Sequence, residues 1–143
     1  MFLLDTNVLS ALRRPDRNPG PAAWLQAQRD SDIFLSVVTI AEVERGIALQ
    51  RPSNPDFARD LALWAERILS WFADRVLPVD AATARRWGNL SASLGNQGLD
   101  LLIAATALER GLTVVTRNVR HFEPTGVSIL DPYVSPGEAP SSP

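Results

Sequence analysis

Apolar and polar positions along this chain fall into blocks that switch repeatedly between a strand-like run and a helical period. Phe2-Leu3-Leu4 is a short apolar run stopped by Asp5, the mark of a buried strand. Over residues 6–14 the apolar side chains Val8, Leu9 and Leu12 return on one helical face. Prolines and a glycine make residues 15–21 a loop, and Pro21 suits the first turn of a helix reaching residue 29. Residues 33–38 are β-branched and aromatic enough for a second strand. Thr39-Ile40-Ala41-Glu42 has the spacing of a capping box, which predicts a helix from Thr39 to about residue 50. Asn54-Pro55 opens a longer helix with Phe57, Leu61, Trp64, Ile68 and Phe72 at steps of three and four. A third strand follows at 75–79, despite Pro78, and Asp80 caps a helix reaching about residue 94. After the loop 95–98, Asp100 heads an apolar helix over 101–110 that Gly111 stops. Strands at 112–116 and 127–130 flank a helical turn at 118–122.

Strands alternating with helices predict an α/β domain: a five-stranded parallel sheet between helices, three layers deep. The predicted domain spans 1–134. The Pro/Ser-rich tail of 135–143 has almost nothing apolar to dock and is expected to be disordered. There is no internal repeat.

In sheets of this kind ligands bind beyond the carboxyl ends of the strands. Asp5 closes strand one, Glu42 lies just past strand two, Asp100 heads a helix aimed at the same end, and Asn118 follows strand four. Singly, each acid also reads as a cap or turn residue. Together they predict three carboxylates converging on one pocket, where like charges destabilise one another unless a proton or cation lies between them. Hard oxygen donors suit Mg²⁺ or Mn²⁺, and such an ion at a sheet edge is apparatus for phosphodiester hydrolysis. His121 reads as a helix-end or packing histidine, and Trp64, Trp71 and Trp87 as core or subunit interface.

Composition narrows the chemistry. The 143 residues include no cysteine, which removes thiol catalysis and Cys-ligated zinc and fits a reducing, cytoplasmic compartment. All 14 basic residues are arginine, so P-loop and Schiff-base sites, which need lysine, are excluded. The same lack of lysine argues against two other folds with an aspartate after strand one: haloacid-dehalogenase-type phosphatases and phospho-receivers. No apolar run approaches the roughly 20 residues of a membrane span, and the N-terminus lacks the basic start of a signal peptide. A net charge of −2 is unusual for a nucleic-acid binder. With the three site acids set aside, the remaining charges are near balance, and Arg13, Arg14, Arg17, Arg45, Arg117 and Arg120 fall near the predicted sheet end.

Four stretches, in order, resemble the PIN-domain ribonucleases, and most of all the VapC toxins of type II toxin–antitoxin modules. They are Leu4-Asp5-Thr6-Asn7-Val8; Ser36-Val37-Val38-Thr39-Ile40-Ala41-Glu42 with Gly46; Asp100-Leu101-Leu102-Ile103-Ala104-Ala105-Thr106-Ala107; and Val115-Thr116-Arg117-Asn118-Val119-Arg120-His121-Phe122. The resemblance implies a Mg²⁺- or Mn²⁺-dependent endoribonuclease that cuts RNA, often at tRNA or rRNA sites, and leaves a 5′-phosphate and a 3′-hydroxyl. It also implies a homodimer and a VapB-type antitoxin as protein partner. By the same resemblance, Asp5 and Asp100 match the metal-binding aspartates and Glu42 the further catalytic acid. Asn118 falls where many relatives carry a fourth acid, and His121 stands where Asp or Glu is frequent, so the acidic set is three. Thr6, Asn7, Thr116 and Asn118 are expected to support the carboxylates or meet the substrate. The alternative is a catalytically silent PIN-like module that acts only by binding a partner protein.

Overall fold

β1 (Phe2–Leu4) lies at the centre of the sheet because both of its faces are apolar. Leu3 and Leu4 are both fully buried and point to opposite sides. Complete burial of such side chains stabilises the fold by about 1.5–3 kcal/mol each. The structure is a computed structural model that describes residues 1–134, so the expected tail of 135–143 lies outside the described residues.

After β1 come α1 (Thr6–Ala11), α2 (Pro19–Gln26), a 3₁₀ turn at Asp30–Asp32, β2 (Ile33–Ser36), α3 (Val37–Gln50) and α4 (Pro55–Phe72). The chain continues through β3 (Val76–Leu77), α5 (Ala81–Leu94), α6 (Leu99–Arg110), β4 (Thr113–Val115), α7 (Val119–Phe122), a 3₁₀ turn at Glu123–Thr125 and β5 (Ile129–Leu130). The five strands run in the order β3-β2-β1-β4-β5, every neighbouring pair parallel. Phe2 is paired with both Ile33 and Thr113. The expected α/β/α architecture is therefore present.

Each face of the sheet carries its own core. Leu3 and Val114 pack with Ile103, Ala104 and Ala107 of α6, and with Phe122. Leu4 and Val115 pack with Val8 and Leu9 of α1 and Phe72 of α4. Small residues on α6 let that helix lie close against the strands, with Ala104, Ala105 and Ala107 all fully buried.

Several boundaries differ from the sequence reading. α3 starts two residues before Thr39, because Ser36, the last strand residue, is its N-cap and accepts the Val38 N–H at 3.0 Å. Thr39-to-Glu42 is thus not a capping box, and Glu42 lies in the second turn. α6 is capped by Gly98, so Asp100 sits inside the first turn rather than at its cap. α2 begins at Pro19 rather than Pro21, since two prolines fit one first turn, where N–H groups have no helical partner. β3 is shorter than expected, Val76–Leu77, and ends against Pro78, which lacks a donor for the ladder. Asp80 caps α5 as expected by accepting the Thr83 N–H at 2.9 Å.

Candidate functional site

The chain leaves the sheet at Asp5, and its side chain turns back into the fold. Asp5 is only 2% exposed, and both carboxylate oxygens are held: Oδ1 accepts the Thr6 N–H at 2.8 Å, and Oδ2 accepts the Thr116 hydroxyl at 2.8 Å. Thr116 follows β4 directly, so two adjacent strands aim this pair at each other across their common end. The Asn118 backbone N–H donates to Thr116 Oγ1 at 2.9 Å, which fixes the hydroxyl and frees its proton for Asp5. Asn118 thus enters through its main chain, and its side chain is not among those lining the cleft described below.

Thr6 links the first acid to the second. Its hydroxyl donates to Glu42 Oε1 at 2.7 Å and lies 3.0 Å from Thr39 Oγ1. The helix beginning at Val37 makes this possible, because it presents Thr39 and Glu42, three residues apart, on one face. Asn7, expected nearby, is exposed on α1 and makes none of these contacts.

Glu42 and Asp100 line one open cleft of about 630 Å³, together with Asn96, Arg120, His121 and Pro124. Asp100 is brought there by the start of α6. Its Oδ2 lies 3.2 Å from His121 Nδ1, although the histidine side chain is 65% exposed. His121 therefore stands in the last turn of α7, as the helix-end reading expects, and does not pack in the core. Nothing in the local sequence period reveals this partner, which is 21 residues away. Of the arginines assigned to this end, only Arg120 lines the cleft. Arg13 stacks on Phe57, and Arg117 lies over the Tyr133 ring at 4.5 Å.

Burial pushes the Asp5 carboxyl up from 3.8 to about 6, and the negative charges of Asp100 and then Glu42 add to the rise, against the lowering effect of its two hydrogen bonds. None of the ion pairs among the described residues offers Asp5 or Glu42 a cation. The three expected carboxylates thus share one electrostatic neighbourhood. They do not, however, close around one point: among the described residues no three His, Asp or Glu side chains are gathered to hold a metal ion. The donor chemistry still fits a hard divalent cation, since oxygen ligands predominate and the place is short of positive charge.

Known proteins resemble this chain in sequence and fold. The family model described as PIN domain matches residues 2–126. The chain is 34% identical to the VapC ribonuclease Y4jK of Sinorhizobium fredii over 138 residues, which covers 93% of this chain and 98% of that protein. It is also 34% identical to toxin FitB of Neisseria gonorrhoeae, with coverage of 93% and 99%. The crystal structure of FitAcB from Neisseria gonorrhoeae superposes with a TM-score of 0.82 at 36% identity, covering 93% of this chain and 99% of that one.

Proposed function

Because the chain belongs to the PIN-domain family, among relatives named as VapC ribonucleases and as the toxin FitB, we propose that it is a divalent-metal-dependent endoribonuclease acting as the toxin of a toxin–antitoxin pair. The observation that carries this reading is Asp5: a buried carboxylate at the strand ends, held in place by two hydrogen bonds, with two further acids nearby and no ion-pair partner of its own among the described residues.

Asp5 and Asp100 are the residues that would hold Mg²⁺ or Mn²⁺. When bound, the ion supplies activation of the attacking water and neutralises charge on the scissile phosphate. Thr116 and the Thr6 backbone fix the orientation of Asp5 before any ligand arrives. Thr6 occupies one oxygen of Glu42 and leaves Oε2 free to orient water and accept its proton. Arg120, on the cleft wall, suits a phosphate oxygen of the RNA chain.

The partner proposed is a VapB-type antitoxin, and the assembly proposed for the toxin itself is a homodimer. No helix of the described residues is long and apolar enough to cross a membrane, and we place the protein in the cytoplasm. The lack of a gathered three-ligand set favours one rival, a silent module that binds a partner without cleaving.

One assay separates the two. Purified protein is incubated with total RNA, and the cut ends are mapped. Cleavage is expected with Mg²⁺ or Mn²⁺, with 5′-phosphate ends, and none in EDTA; Ca²⁺ supports binding but little cleavage, because its looser coordination positions water poorly. Asp5→Asn should lower the rate by at least about 10³-fold, the scale of losing a principal transition-state stabiliser. Full activity in EDTA overturns the mechanism, and no cleavage with any ion favours the silent module.

A further inference from the structure

His121 is the chain's single histidine and stands on a four-residue helix whose neighbouring Arg120 also faces the cleft. Its Nδ1 lies 3.2 Å from Asp100 Oδ2. Two donors bound to one ion at about 2.1 Å stand about 3.0 Å apart at octahedral angles and about 3.4 Å apart at tetrahedral ones. The observed spacing lies between these values. The contact is a hydrogen bond, and its length is one at which a cation can take the place of the shared proton between the nitrogen and the oxygen. The imidazole is open to solvent, so an ion can reach it without moving the core.

We propose that His121 Nδ1 is, with Asp100, a direct ligand of the divalent ion, and that this mixed pair biases the site toward Mn²⁺ and Zn²⁺ over Mg²⁺. The inference rests on the reading of the cleft as a cation site. Its chemical ground is that imidazole binds later first-row ions far better than magnesium, which prefers oxygen. A proton shift accompanies the exchange. While Nδ1–H donates to Asp100, its lone pair is not available; when Nδ1 takes the ion, the ring proton resides on Nε2 and Asp100 Oδ2 turns to the same cation. His121 compensates in this way for an acidic set of three.

A histidine that only orients Asp100 would also weaken binding when removed, but equally for every ion. The test uses that difference. In untagged protein, imidazole ¹⁵N resonances report on one residue. Zinc should move the Nδ1 resonance into the metal-bound range and leave the proton on Nε2. By calorimetry, His121→Ala should weaken Zn²⁺ and Mn²⁺ at least about 10-fold and Mg²⁺ by less than about 2-fold, whereas His121→Asp should strengthen Mg²⁺ and not restore Zn²⁺. Melting curves without metal confirm that both variants fold. Equal losses for all three ions, or zinc binding that leaves the imidazole signals unchanged, overturn the proposal. If wild-type protein binds no divalent ion, the cation reading falls with it. If ions bind through His121 but RNA stays intact, only the nuclease reading fails.

Discussion

Arg75 and Asp5 are both charged side chains drawn into the fold at opposite ends of one sheet, Arg75 where the strands begin and Asp5 where β1 ends. Arg75 is 14% exposed. Its Nη1 donates to the carbonyls of Asp30 and of Ile33, the latter at 2.8 Å, and its Nη2 donates to the Trp71 carbonyl at 2.7 Å. Its guanidinium also lies over the rings of Trp71 and Phe72, at 4.9 and 5.0 Å. One cation thus ties the C-terminal turn of α4 to the start of β2. Asp5 is oriented just as firmly, but its surroundings add negative charge where Arg75 finds carbonyls and π faces. A charge kept for stability is surrounded by opposite partial charges. A charge in the role proposed for Asp5 is left with a deficit that a ligand can fill.

Removing each charge should therefore move stability in opposite directions. Arg75→Met should cost about 2–4 kcal/mol in urea unfolding, since three carbonyls lose a charged donor. RNA cleavage per folded molecule should stay unchanged. A loss below about 1 kcal/mol would mean that water replaces the guanidinium.

Asp5→Asn should instead stabilise the metal-free protein, by up to about 3 kcal/mol at pH 8. The sign follows from the raised carboxyl. Its folded value, about 6 against 3.8, means that the folded state holds the proton more tightly. The contribution of Asp5 is fully present below about pH 4 and is lost as pH rises through about 6. The gain from Asp5→Asn should accordingly vanish near pH 4. A gain that does not change with pH would remove the charge deficit from the comparison.

Thr6→Val sharpens the contrast within the site itself. It breaks the bond to Glu42 but keeps the backbone donor to Asp5. Stability should fall by about 1 kcal/mol, while cleavage should fall about tenfold. Unchanged kcat would show that Glu42 needs no tether.

The architecture was legible because each strand is short, apolar and bounded by a turn or cap signal, and because parallel sheets require crossovers. Asp5 was legible as the acid that closes a wholly apolar run, although the same position also makes it the N-cap of α1. What was not legible depended on contacts between distant residues. Ser36 and Thr39 both match helix-cap chemistry, and only the packed strand decides that Ser36 serves, which rotates Glu42 onto the face shared with Thr39. Asp100 has the chemistry of a cap, yet Gly98 takes that position because the loop approaches the helix in extended geometry. The pairing of His121 with Asp100 joins two helices that no local period relates. The Thr116 bond to Asp5 spans 111 positions and was readable only as an expectation of support.

That long span also sets an order of events during synthesis. β1 is made before both of its partners, one of which is β4, and the hydroxyl that holds Asp5 belongs to Thr116. At ribosomal rates of about 5–20 residues per second, the opening strand waits several seconds or more for its second neighbour. A nascent chain that stops short of Thr116 carries Asp5 and Glu42 but lacks the group that orients Asp5. Until Thr116 has been made and β4 has joined β1, the site lacks the contact that orients its buried acid.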